Sequence, residues 1–251
     1  MRILLTNDDG IHAPGLKTLI RIARRLSSDI WVVAPDQEQS GAGHSLSLTR
    51  PLRSRKLNDR RYAVSGTPTD CVMMGVKHIL PSPPDLILSG VNRGANIAED
   101  VTYSGTIAAA MEGTLLGIRS MALSQVGWAT QRMKWATAQQ HAPELIQRIL
   151  DQGWPENVLI NLNFPDVLAD KVEGVRVVPQ GFRDQSDVTV DAREDGRGLP
   201  YYWLGLRRQE ETPPENSDIG AVWRGYISVS PLTLDLTHYQ ALKSLKASLE
   251  A

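Results

Sequence analysis

Short apolar runs alternate with helix-length amphipathic segments through the first two thirds of the chain, and that alternation leaves few folds open. Ile3-Leu4-Leu5, Ile30-Trp31-Val32-Val33-Ala34, Leu86-Ile87-Leu88, Met121-Ala122-Leu123-Ser124 and Val158-Leu159-Ile160-Asn161-Leu162 read as buried strands. Between them the spacing predicts helices over about 15–27, 67–80, 104–117 and 130–150, the last with Pro143 inside it. The first of these sets Leu16, Leu19, Ile20, Ala23 and Leu26 on one face. Thr67-Pro68-Thr69-Asp70 has the residues of a capped helix start: a hydroxyl cap, a proline in the first turn and a carboxylate three residues on. Strands alternating with helices imply an α/β protein, a three-layer Rossmann-like, mostly parallel sheet with helices on both faces. From about residue 170 the pattern changes to short β-like runs and a closing helix over about 238–249. The reading is one α/β domain over 1–251, with a core at about 1–165 and a β-rich extension at about 170–251. Tyr201-Tyr202-Trp203 is more aromatic surface than a lone hairpin hides, so that extension is expected to contact the core or another subunit.

Charge and cysteine content narrow the function classes. Lys plus Arg is 27 and Asp plus Glu is 28, a net charge of -1, which gives no footing for a nucleic-acid polymer. Any anionic substrate must be held by local positive groups. The single cysteine, Cys71, forms no internal disulfide and lies on an apolar helix face, where it reads as a small buried hydrophobe. No apolar stretch is long enough for a bilayer span, and the amino terminus turns polar too soon for a secretory signal. The expected compartment is the cytoplasm.

The residues able to carry chemistry sit where the strands end. Asp8 and Asp9 follow the first apolar run directly, at the sheet edge where open α/β folds bind ligands. Adjacent carboxylates repel unless a cation or a proton lies between them, so the pair suggests a metal site. Asp-Asp-Gly also suits an ordinary turn. Ser40 with its glycines, Asn92 and the Ser104-Gly105-Thr106 helix start fall at the same edge. Carboxylate, hydroxyl and amide oxygens form a hard donor set that favours Mg²⁺ or Mn²⁺. Zinc finds no Cys/His cluster. Ser104-Gly105-Thr106 suits either a phosphate seat or plain helix capping. The Gly41-Ala42-Gly43-His44 loop lacks the dinucleotide fingerprint, and no P-loop sequence occurs. His12 and His44 lie in loops from which they could donate to a phosphate or to a leaving oxygen, but a satisfied or solvent-facing histidine is the default reading for each.

Taken together, Asn7-Asp8-Asp9-Gly10, Ala34-Pro35-Asp36 with Ser40-Gly41, Gly66-Thr67-Pro68-Thr69-Asp70-Cys71, Ser89-Gly90-Val91-Asn92-Arg93-Gly94-Ala95-Asn96 and Tyr103-Ser104-Gly105-Thr106 resemble the SurE family of survival-protein nucleotidases. The resemblance is dense to about residue 117 and continues thinly beyond. It implies a metal-dependent phosphomonoesterase that hydrolyses nucleoside monophosphates with water activated by a divalent ion. That is a 5′-nucleotidase, with 3′-nucleotidase and exopolyphosphatase side activity. It implies one Mg²⁺ or Mn²⁺ per subunit held by Asp8, Asp9, Ser40 and Asn92, with Asp8 and Asp9 catalytic. It further implies phosphate contacts at Asn96, Ser104, Gly105 and Thr106, and homodimers or homotetramers with exchanged carboxyl-terminal segments. Ala98 departs from the family pattern, which has glycine there. Two other readings are a non-catalytic nucleotide-binding protein and a receiver-like signalling module. The second lacks a phospho-accepting Asp at the end of a later strand and the Lys beyond it.

Overall fold

A computed structural model describes residues 1–127, 132–183, 188–206 and 213–250. Five parallel strands form the centre of the sheet: β1 (Arg2–Thr6), β2 (Asp29–Pro35), β5 (Leu86–Arg93), β6 (Arg119–Gln125) and β7 (Val158–Phe164). β4 (Arg61–Val64) extends it in parallel beside β2, and β3 (Ser54–Asn58) closes that edge antiparallel. On the other side β11 (Tyr226–Thr233) runs antiparallel to β7, and β8 (Gly174–Val177) lies outermost. The resulting nine-stranded order is β3-β4-β2-β1-β5-β6-β7-β11-β8.

Helices cover both faces, as the strand–helix alternation requires. α1 (Pro14–Ala23) and α5 (Trp135–Gln152) bury Leu16, Leu19, Ile22, Ala138 and Ile146 against Ile3, Leu5, Leu86 and Leu88. α2 (Pro68–Met74) and α4 (Gly105–Leu115) cover the opposite face through Cys71, Val72, Ile107, Ala109 and Ala110. Cys71 is buried beside Leu4 and Val33, and burial pushes its thiol well above its ordinary range, which leaves it inert. The capping box forms as the spacing predicts: Thr67 Oγ1 accepts from Asp70 N at 3.1 Å, and Asp70 Oδ2 accepts from Thr67 N at 2.9 Å. The α-helical hydrogen bonding ends earlier than expected, at Met74, and one wider turn over Gly75–Ile79 carries the chain to Leu80. The prolines at 81, 83 and 84 stop it there. α5 starts at Trp135 and runs through Pro143; the expected start near Thr130 lies outside the described residues.

The carboxyl-terminal third divides between sheet and surface. β8 and β11 join the main sheet, whereas β9 (Val188–Glu194) and β10 (Pro200–Leu206) pair only with each other. α6 (Asp218–Trp223) packs on β11, and α7 (Tyr239–Leu249) is the last described helix. Among the described helices none is long and apolar enough to cross a membrane.

One glycine sets how α1 meets the sheet. A Cβ on Gly15 would lie 1.9 Å from the Val91 carbonyl oxygen on β5, closer than any two such atoms approach. Gly15→Ala is therefore expected to lift the start of α1 off β5, destabilising the fold by about 1–3 kcal/mol despite alanine's better helix propensity. Urea unfolding of the two proteins measures this, and an unchanged midpoint would contradict the close approach.

Candidate active site

The register of β1 on β5 pairs Thr6 with Ser89, so the segments that follow both strands emerge side by side. Asp8 and Asp9 leave β1 there, and Asn92 lies at the end of β5. The loop holding Ser40 is tied to the same point, because Gln39 N donates to Asp8 O at 2.8 Å. Gly105, at the start of α4, packs directly on Asp8, whose Cβ lies 2.8 Å from where a Gly105 Cβ would be. Four separate stretches of sequence thus meet at one edge. Gly10, at φ +96°, turns the chain back so that Ile11 N reaches Pro35 O at 2.8 Å, closing the acidic loop on β2.

The two carboxylates sit in different surroundings. Asp8 is only 4% exposed, and the Thr106 hydroxyl donates to its Oδ1 at 2.5 Å. Burial pushes its pKa up, and the Thr106 hydroxyl and N–H pull it partly back. Asp9 is half-buried and accepts from Arg93 N at 3.3 Å. Its pKa is pushed from 3.8 to about 6, first by burial and then by the neighbouring charge of Asp8. Glu38 adds further negative charge to both. This edge concentrates negative charge that the fold leaves costly, which is the condition a cation relieves.

Among the described residues no three His, Cys, Asp or Glu side chains cluster as a metal cage. Two carboxylates with neutral oxygens are the donor set by which Mg²⁺ is commonly held, with water and substrate phosphate filling the remaining positions. Asn92 commits its amide nitrogen to Gly94 O at 3.1 Å, so its carbonyl oxygen is the atom suited to a cation. Ser40 is exposed and donates to Glu38 Oε1 at 2.9 Å, which leaves its lone pairs for accepting. The residues present fit a hard divalent ion.

The residues expected at the phosphate are placed less uniformly. Ser104 caps α4, its Oγ accepting from Ile107 N at 3.1 Å. Thr106 is fully buried and turned to Asp8, so the start of α4 orients a carboxylate here. Asn96 stands in the loop after β5, its main chain held from below: its N–H donates to Asn163 Oδ1 at 2.9 Å. Its carbonyl accepts from Asn161 Nδ2 at 2.8 Å and Asn163 Nδ2 at 3.2 Å. Its own amide donates to Ser124 Oγ at 2.9 Å. Two asparagines on one face of a strand buried on both sides were the signal for this cradle, since a buried amide needs a polar partner.

Two residues singled out in the sequence gain their partners only in the fold. His44 in the glycine loop meets the buried Glu112 carboxylate on α4 at 2.9 Å, so it is tied down beside the site. Ala98 is fully buried and adopts φ +50°. A side chain in that left-handed region costs roughly 1–2 kcal/mol. The conformation is held by Asp218 Oδ2, which accepts from Ala98 N at 2.9 Å, and by Gln180 Nε2, which donates to Ala98 O at 2.8 Å.

Fold and site together define an α/β protein with an acidic, oxygen-lined centre beside a helix amino terminus. The family model described as Survival protein SurE matches residues 3–187. A protein of Parvibaculum lavamentivorans named 5′-nucleotidase SurE is 58% identical over 99% of this chain and 91% of its own length. One of the same name from Brucella anthropi is 58% identical over 99% of this chain and 97% of its own. The crystal structure of the SurE protein from Aquifex aeolicus superposes with a TM-score of 0.86 at 41% identity, covering 100% of both chains. The chain belongs to the SurE family.

Proposed function

We propose that this protein is a 5′-nucleotidase that hydrolyses nucleoside monophosphates with the help of a divalent ion held by Asp8, Asp9, Ser40 and Asn92. The observation that carries the reading is the adjacent pair Asp8–Asp9, one buried and the other half-buried, at the edge where four stretches of the chain meet. The 5′-nucleotidase relatives support the substrate class. Lewis acidity, for a phosphoryl oxygen and for the attacking water, is what Mg²⁺ or Mn²⁺ supplies when bound. The remaining work falls to the chain. Thr106 fixes the Asp8 carboxylate through its hydroxyl and main-chain N–H, so that one ligand arrives already oriented. Asp9 is the acid of the pair that solvent reaches, and it accepts the proton of the attacking water. Asn96, set by the Asn161–Asn163 cradle, holds the phosphate beside the start of α4, with Ser104, Gly105 and Thr106 completing that wall. Positioning of this kind, with electrostatic help, is most of what phosphoryl transfer asks of a protein.

Association through the carboxyl-terminal segments belongs to the same reading. Tyr202, Trp203 and Leu204 on β10 are exposed, and α7 buries none of its own residues while presenting Leu242, Leu245 and Leu249. These surfaces support a homodimer or homotetramer built on the β-rich extension of a single domain; the compartment assigned to it in this reading is the cytoplasm.

The test is phosphate release from AMP by the protein as purified. Excess EDTA is expected to abolish it and added Mg²⁺ or Mn²⁺ to restore it. Saturable AMP binding with no phosphate released under any metal would instead favour a non-catalytic nucleotide-binding protein.

A further inference from the structure

The loop that carries Asn96 has no regular structure of its own between β5 and α3 (Asp100–Tyr103). It is held from beneath by the Asn161–Asn163 cradle and from the side by residues far along the chain. Asp218 is 120 positions from Ala98 and Gln180 is 82, yet both bind the main chain of Ala98, two residues beyond Asn96. Arg183 continues the same contact, its guanidinium bonding both Asp100 carboxylate oxygens at 2.9 and 3.0 Å and its N–H donating to Glu99 Oε1 at 2.6 Å.

We propose that Asp218 is a positioning residue for the nucleotide's phosphate: its carboxylate keeps Ala98 in the left-handed conformation and thereby sets Asn96. This rests on the assignment of Asn96 as a phosphate contact.

Two unfavourable features meet at one hydrogen bond. Ala98 adopts a geometry that a side chain disfavours, and Asp218 is a carboxylate with no solvent exposure. Burial raises the Asp218 pKa, against the N–H groups of Ala98, Gly181 and Ile219 that lower it. Costly backbone and costly charge persist together where the surroundings over-determine them, and such places cluster at functional sites. Helix capping does not account for Asp218, because Ser217 already caps α6, its Oγ accepting from Gly220 N at 3.0 Å. The carboxylate instead divides its oxygens: Oδ1 accepts from Gly181 N at 2.8 Å and Ile219 N at 2.7 Å, while Oδ2 serves Ala98. A glycine at position 98 would take the left-handed geometry without that bond. This chain has alanine, so the bond has something to hold.

Asp218→Asn separates these roles, since the amide keeps an acceptor for Gly181 and Ile219 and turns a donor toward Ala98 N. Its KM for AMP is expected to rise about tenfold with kcat within about threefold, the pattern of lost binding that is equal in ground and transition states. In an Ala98→Gly background the same change is expected to raise KM by less than about threefold, because the sites are coupled. A wild-type KM for Asp218→Asn, or an equal rise in both backgrounds, would overturn the proposal. Should Asp218→Asn not fold, Gln180→Met removes only the bond to Ala98 O, and the same pair of outcomes applies to it. Asn96→Ala keeps the two readings apart. If it leaves KM untouched, the phosphate assignment has failed; if it raises KM while Asp218→Asn does not, the assignment stands and the role given to Asp218 has failed.

Discussion

Asp9→Asn is expected to lose essentially all phosphate release from AMP, a fall of at least about 10³-fold, while the metal-free protein becomes more stable. The two effects share one cause. In the folded, metal-free protein the Asp9 pKa stands at about 6, above its ordinary 3.8. A carboxyl whose folded pKa is raised stabilises the fold fully only below its unfolded value, and that contribution disappears as pH climbs through the folded value. With EDTA present, wild-type stability should therefore fall between about pH 4 and pH 7, opposite to the usual behaviour of a paired aspartate. A shift of about two units corresponds to on the order of 1–3 kcal/mol, or about 2–4 °C in Tm for each kcal/mol in a chain of this size. Asparagine carries no charge, so the variant should show a flatter profile and a higher Tm at pH 7.5. Differential scanning calorimetry in EDTA across pH reads this directly. Added Mg²⁺ should raise the wild-type Tm and leave the variant's nearly where it was. A variant that melts lower than wild type at pH 7.5 in EDTA would show that Asp9 is not held at a cost.

Gly105→Ala is expected to cut kcat/KM by about 10²-fold without changing any ligand, because a carboxylate displaced by an ångström loses its geometry. The added methyl would sit 2.8 Å from the Asp8 Cβ, 3.2 Å from Asp8 Oδ2 and 3.1 Å from Pro68 Cγ. Neither neighbour yields easily: Asp8 is pinned by Thr106, and Pro68 is the first residue of α2. Helix propensity works the other way, alanine being better than glycine by about 1 kcal/mol. Overpacking of about 1–3 kcal/mol outweighs it, so stability should drop modestly while activity drops steeply. Steady-state kinetics with a parallel urea titration separates the two. Wild-type kcat/KM in Gly105→Ala would mean that Asp8 does not need its observed place.

Much of the candidate site was legible along the chain because it is built from strand ends. The apolar run of β1 ends just before Thr6-Asn7-Asp8-Asp9, the run of β5 leads to Asn92, and helix starts announce themselves through Thr67 and Ser104. These are local signals, set by residue periodicity and by capping chemistry. The roles within the site were less legible. Thr106 suggested a hydroxyl open to an anion, yet it is buried against Asp8, a contact between residues 98 positions apart. Ser104 satisfied an unpaired helix N–H, as such residues do at any helix start. The partners of Asn96 and Ala98 left only faint traces. Asn161 and Asn163 were polar residues in a buried strand, and Asp218 was one carboxylate in a charged stretch. The place of β11 was hidden as well, since its antiparallel pairing with β7 joins segments more than 60 residues apart, and it runs parallel to β8 on its other side.

The sequence by itself determined the layered α/β class, the positions of the main strands and the acidic edge, because each follows from spacing over a few residues. Only the tertiary structure decided which carboxylate is buried against a hydroxyl, how Asn96 is gripped, and that a strained alanine leans on an aspartate from the far end of the chain. Those outcomes depend on burial and on hydrogen bonds between segments distant in sequence, and a desolvated charge has no counterpart in any local pattern of residues.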